Sequence, residues 1–289
     1  MFYIPILGAV LDAVGAFLNK KLAVKKDVGY REFLFYSFLS IILVSLPFLY
    51  FFWDINPLAG RNRNMAILAL IVIFSFFANY FSFFALKNKN LSKLESIRLT
   101  LPLLTILIAF LFSFIFDAYK DERNYYILFF ALIASLALFF SNVKKEYFYM
   151  DKYSYAALAG SFLFAVELTL SKLIIEFYHP FSFYFIRCLF IFIISLSVFR
   201  KKVVKIKNKS FYLFMISALF WVGYRVLLYY GYNLFGVIFT TTVFILSPVL
   251  VYTLSAVFLK EKISFRQISS SIIIVLCIIG ALFFETKSL

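Results

Sequence analysis

Residues 237–259, VIFTTTVFILSPVLVYTLSAVFL, run for 23 positions without a charged side chain. As an α-helix this segment is about 34 Å long, enough to cross a hydrocarbon core of about 30 Å. A membrane barrel strand would alternate apolar and polar residues over about ten positions, and this run does not alternate. Nine further segments read the same way: 2–22, 31–53, 65–86, 92–116, 124–142, 154–176, 181–199, 211–232 and 266–284. The connectors between them are too short to hold a soluble domain. The expected fold class is therefore all-α integral membrane, with ten transmembrane helices. The first run begins at Phe2 without a basic leader region or an A-x-A-like cleavage site, and reads as a retained span.

Composition agrees with that reading. Hydrophobic residues make up 64% of the chain and charged residues 15%, and the mean hydropathy is +0.95. A water-soluble domain has about 25% charged residues and far less apolar surface to cover. The net charge of +15 would suit nucleic acid, but its placement argues for lipid headgroups instead. Most Lys and Arg residues lie in short connectors flanking apolar runs, where they anchor and orient helices. Connectors 1–2, 3–4, 5–6, 7–8 and 9–10, with the adjoining helix ends, carry 20 of the 29 Lys and Arg, while the opposite connectors and the C-terminus carry 5. Positive residues favour the cytoplasm, so this bias predicts a cytoplasmic basic face and external termini.

The polar stretch Asn142–Lys152, NVKKEYFYMDK, divides the chain. Residues 1–143 form one expected five-helix unit, 144–152 a connector and 153–289 a second unit. With Pro102 of LTLPLL placed over Pro248 of ILSPVL, Asn79 falls on Arg225 and Phe84-Ala85-Leu86 on Tyr230-Gly231-Tyr232. An odd number of helices per unit makes the second copy enter the membrane upside down. Inverted repeats of this kind are common in secondary transporters, which bind their solute at the repeat interface near the midplane.

The ends of the two units carry short motifs. Leu246-Ser247-Pro248 through Leu259-Lys260-Glu261-Lys262-Ile263-Ser264 resembles the closing signature of the drug/metabolite transporter superfamily, in its EamA-type ten-helix branch. There a proline opens the fourth helix of the repeat and a glutamate followed by a basic residue closes it. Phe84-Ala85-Leu86-Lys87-Asn88 resembles the motif ending the third helix, and Arg187 sits where the family often has an arginine. The first unit departs from this pattern, with Tyr36 or Ser37 opposite Arg187 and Asp117 near the position of Glu261. The resemblance implies a multi-pass permease of the cell membrane, with both termini cytoplasmic, against the charge bias.

Ionisable side chains at membrane depth need a partner, a cavity or a function. Asp12, Glu95, Arg98, Glu167, Lys172, Arg187 and Arg225 are the residues in question. Lys172 is close enough to its helix end to snorkel, and Arg187 can pair with Glu176 or Glu167. Glu95 and Arg98, three apart on one helix face, either neutralise each other or form a gate. Arg225 has no acid three or four positions away, so its partner must be another helix or a substrate anion. Buried carboxyls at Asp12 and Glu167 have their pKa raised by desolvation, which suits proton coupling or an ammonium ligand. The expected substrate-binding set is Asp12, Asn79, Glu95, Arg98, Glu167, Tyr224 and Arg225. Pro102 and Pro248 are expected to kink their helices. Thr240-Thr241-Thr242 and Ser247 are placed to bond the freed carbonyls or a ligand.

No catalytic residues, metal or cofactor are expected. Cys188 and Cys277 lie in apolar runs, His179 is the single histidine, and no phosphate-binding G-x-x-x-x-G-K-[ST] loop occurs. Asp117, Asp121 and Glu122 read as a solvated turn. The expected partners are a small-molecule substrate and membrane lipid, with no nucleic acid, in a monomer or homodimer. A membrane enzyme acting on a lipid-linked substrate, and a non-transporting scaffold, are the alternatives.

Overall fold

The computed structural model describes residues 2–23, 25, 27–88, 97–142, 151–199, 203–259 and 264–288. Ten α-helices run through them: α1 Tyr3–Ala23, α2 Tyr30–Phe52, α3 Asn62–Asn88, α4 Thr100–Phe112, α5 Tyr125–Asn142, α6 Lys152–Lys172, α7 Pro180–Phe199, α8 Asn208–Phe244, α9 Leu246–Leu259 and α10 Phe265–Ser288. Short 3-10 segments at Pro57–Gly60, Asp117–Arg123 and Ile175–Phe177 join them. The described residues contain no strand, only an isolated bridge between Ile55 and Tyr178. Without water to satisfy it, backbone in lipid must bond within its own segment, and long apolar helices do that.

Among the described residues, six stretches are long and apolar enough to cross a membrane: Tyr30–Phe52, Asn62–Ala85, Lys152–Lys172, Pro180–Phe199, Asn208–Phe258 and Phe265–Thr286. Tyr3–Asn19 and Tyr125–Ser141 are shorter apolar helices. Straight, the 51 residues of Asn208–Phe258 would extend about 77 Å, more than twice a bilayer core. They do not run straight. Gly236 interrupts α8 with φ 79° and ψ 174°, a left-handed conformation open to glycine at little cost. Helix therefore continues through 233–235, where a loop was expected, and the turn narrows to one residue. Of the expected fourth span, 92–116, residues 92–96 lie outside the described residues; helix is described at 97–98 and over Thr100–Phe112, and the chain then bends by 114° into Asp117–Arg123.

The prolines act as expected. Pro102 and Pro248 have no N–H to give the carbonyls four residues back, and helix is interrupted at Leu99 and Ile245, three residues before each. Pro47 lies inside α2, a position the sequence reading passed over.

Packing is pairwise. α1 lies along α8, α3 along α6, α2 against α7 and α5 against α10, while α4 touches α6 and α9 touches α1. The α3–α6 approach is close because Gly160 has no side chain. A Cβ there would stand 3.1 Å from the Ala78 carbonyl oxygen and 2.6 Å from Ser82 Oγ.

The connectors bind one another on both faces. On one face the His179 amide donates to the Asp54 carbonyl (3.0 Å) and the Asn56 amide to that of Phe177 (2.9 Å). There the Asp54 amide also donates to Ser182 Oγ, at 3.0 Å. On the basic face Asp27 accepts from the Lys207 amide (3.1 Å) and Ser210 Oγ (2.7 Å). The Ser210 hydroxyl, acting first, holds the Asp27 carboxyl below its usual range.

Candidate substrate site

A cavity of about 180 Å³ lies among α1, α2, α3, α6, α7 and α8. Its lining positions on α2 and α3 and Asn19 on α1 lie toward the basic connectors, Asp12 lies mid-helix, and Tyr184 and Arg187 on α7 lie toward the opposite face. Five of the seven expected site residues line it: Asp12, Asn79, Arg98, Tyr224 and Arg225.

Glu167 does not face the cavity. It stands behind the wall at 0% exposure, holding the arginine of the neighbouring helix. Arg187 Nη1 donates to Glu167 Oε1 and to the Tyr229 hydroxyl at 2.7 Å. Glu167 Oε1 also accepts from Tyr229 (3.3 Å) and from Ser171 Oγ (3.4 Å). Of the two partners open to Arg187, the structure selects Glu167. Glu95 lies outside the described residues, so the Glu95–Arg98 pairing does too.

Arg225 is the outlier. It is 5% exposed, and its Nη1 comes only to 3.8 Å of Glu167 Oε2. Both of those atoms are buried without a hydrogen bond. The guanidinium is flanked by the rings of Phe164 and Tyr224, at 5.9 and 5.4 Å. Such contacts supply attraction without satisfying the N–H donors. One carboxylate thus serves two guanidiniums, and Arg187 takes nearly all of it.

Asp12 approaches from α1, its Oδ2 accepting from Ser247 Oγ at 2.6 Å. No ion pair joins Asp12 to Arg225 among the described residues, although both line the cavity. Asn79 Nδ2 folds back onto the Ser75 carbonyl at 2.7 Å. Thr242 bonds the Ile238 carbonyl at 2.7 Å, while the hydroxyls of Thr240 and Thr241 find no partner.

Three readings are changed or sharpened. Arg187, set aside as structural, lines the cavity as well as pairing. Lys172, expected to reach the interface, directs its Nζ to the Tyr232 carbonyl there. Glu122 is not solvated. It is 6% exposed and accepts from the amides of Val237 and Ile238. Its neighbour Asp117 is exposed as expected, and Lys120 at 2.7 Å pulls its carboxyl below the usual range. What hid Glu122 from sequence reading is that its partners are backbone amides 115 and 116 residues away. The described residues hold no cluster of His, Cys, Asp and Glu fit for a metal.

Residues 152–284 match the model of the EamA-like transporter family. Over these residues the chain is similar to that family, which is part of the drug/metabolite transporter superfamily. The family consists of membrane transporters of small solutes, and the chain is a multi-pass membrane protein. No curated protein matches. Among 27 matching chains of solved structure, one crystal structure superposes with a TM-score of 0.70, covering 98% of this chain and 98% of its own at 15% identity. At that identity the likeness establishes the fold alone.

Proposed function

We propose that this protein is a secondary transporter of the cell membrane that moves a small metabolite, such as an amino acid or amine, by alternating access. Ten spans form two inverted five-helix repeats, residues 1–143 and 153–289 joined through 144–152, with the basic face in the cytoplasm. Two observations support the repeats. Exchanging the first five helices with the second five turns α1–α8 into α3–α6 and α4–α6 into α1–α9, and leaves α2–α7 and α5–α10 as they are. Helix is also interrupted three residues before each of the matched prolines.

The observation that carries the reading is the Arg225 guanidinium, whose Nη1 is buried in the cavity wall without a hydrogen bond. A buried charged donor left unmade is costly, and a solute carboxylate would complete it. Asp12, across the same cavity and not paired with it, would take an ammonium group. Asn79, the repeat mate of Arg225, is neutral, so the two half-sites differ and can orient an asymmetric solute. Asp12, a carboxyl lining the cavity beside the solute site, or Glu167, behind its wall, would carry a coupling proton.

The test is flux into proteoliposomes over a panel of amino acids, amines and related metabolites. Some member should be moved faster than in empty liposomes, and Arg225→Ala should abolish that movement while the protein still folds. A panel with neither flux nor binding would sink the reading.

A further inference from the structure

The break in α8 leaves two sets of unpaired backbone groups, carbonyls ending the arm 208–235 and amides opening the arm 237–244. Each set meets a side chain of the sign its partial charge favours. Lys172 Nζ takes the Tyr232 carbonyl. Glu122 takes the amides of Val237, through Oε1, and Ile238, through Oε2 at 2.9 Å. Lys172 belongs to the second half of the chain, but Glu122 comes from the first, on the Asp117–Arg123 segment. That segment is tied across as well by the Tyr119 hydroxyl, which donates to the Thr169 carbonyl. Gly236 makes room for the carboxylate, since a Cβ there would stand 2.6 Å from Glu122 Oε1.

This closure has no counterpart of similar extent. α4 and α5 both pack on α8, whereas neither α9 nor α10 makes extensive contact with α3 among the described residues. The central cavity is lined from Asn19, Ser37 and Phe214 on the basic side to Tyr184 and Arg187 on the other, and none of its lining residues belongs to the Asp117–Arg123 segment or to the α8 break.

We propose that Glu122 is the latch holding the face opposite the basic connectors shut, and that changing access requires it to release the α8 break. The proposal rests on the alternating-access reading above. Its chemistry is reversible because the latch sits at the end of the bundle. Water can take up the carboxylate and both amides once they part, which it cannot do at the bilayer centre. A charge-assisted bond to two amides is strong enough to favour the closed face and weak enough to be undone by solvation.

The experiment uses Thr240→Cys as a reporter in a Cys188→Ala/Cys277→Ala background, because Thr240 is 0% exposed and its hydroxyl has no partner. A membrane-impermeant maleimide is applied to reconstituted protein without substrate. Glu122→Gln is expected to raise labelling of this position about tenfold, equivalent to about 1.4 kcal/mol lost from the closed state. Labelling of a second reporter, Ser217→Cys in the cavity wall, should fall in the same variant. Unchanged labelling at Thr240→Cys overturns the proposal. So does a rise there without a fall at Ser217→Cys, since that reports fraying of the segment alone. Should Glu122→Gln fail to fold, Glu122→Asp, shorter by one methylene, is read the same way. Because no solute is needed, a protein that moves nothing on the panel would defeat the transport reading while leaving the latch result standing.

Discussion

The two five-helix units contribute unequally to the centre of the molecule. The second supplies Glu167, Arg187 and Arg225 from α6, α7 and α8, with Tyr229 bonded into the cluster. From the first come Asp12 on α1, the neutral Asn79 on α3 and the exposed Arg98 before α4. The family match falls on the same side of the divide, over residues 152–284. In the proposed repeat, the two units would share their packing while differing in their buried charges. A charge cluster in one unit, with no counterpart among the described residues of the other, would give the cavity a direction that a symmetric pair of half-sites would lack.

Removing the carboxylate at the centre of the second unit tests that contrast most severely. Glu167→Ala leaves Arg187 and Arg225 buried, alike in charge and without an anion. Breaking a buried pair by deleting one partner costs about 3–5 kcal/mol. Thermal unfolding in detergent should show a loss of that size, and a loss under about 1 kcal/mol would mean that Glu167 is not the keystone of the cluster. The corresponding change in the first unit is milder. Asn79→Ala forfeits one bond to the Ser75 carbonyl, worth about 1 kcal/mol, measured in the same melts.

Arg225→Ala should separate function from stability. The Nη1 of this guanidinium makes no hydrogen bond, so removing the side chain loses ring contacts but relieves a desolvated charge. Those effects oppose each other, and unfolding should shift by less than about 1 kcal/mol. Transport should be abolished all the same. A destabilisation as large as that of Glu167→Ala would place Arg225 in the structural cluster with Arg187 and remove the reason to assign it to a solute.

How far these features were legible in the sequence depends on what kind of partner each residue has. Helix positions follow from hydropathy, which is local, and nearly every expected span coincides with a helix. The kinks at Leu99 and Ile245 follow from covalent facts about Pro102 and Pro248. Arg225 could be singled out because an arginine within an apolar run with no nearby acid is conspicuous at any depth. Glu122 could not be. An acidic residue between Asp121 and Arg123 reads as solvated, and only the fold brings it to the amides of Val237 and Ile238. Gly236 was hidden likewise, because nothing in NLFGVIF tells a one-residue break in a continuing helix from a four-residue loop.

The smallest expected effect concerns the contact between units at His179, on the sealed face. Its Nδ1 accepts from the Phe181 amide at 3.3 Å, and its Nε2 lies 2.6 Å from the Tyr230 hydroxyl. One neutral tautomer serves both, accepting at Nδ1 and donating from Nε2. Burial, the larger cause, lowers the His179 pKa below 6.5, and Asp54 opposes it by a smaller amount. A histidine with a depressed folded pKa contributes stability that is complete above the unfolded value near 6.5. That contribution is lost as pH falls through the folded value, because the unfolded chain binds the proton first. Melting temperature should therefore decline slightly from pH 7 to pH 5, and His179→Gln, which cannot titrate, should flatten that part of the decline. An unchanged slope in the variant would show that protonation of His179 leaves the seal between the Asp54 and Phe181 connectors intact.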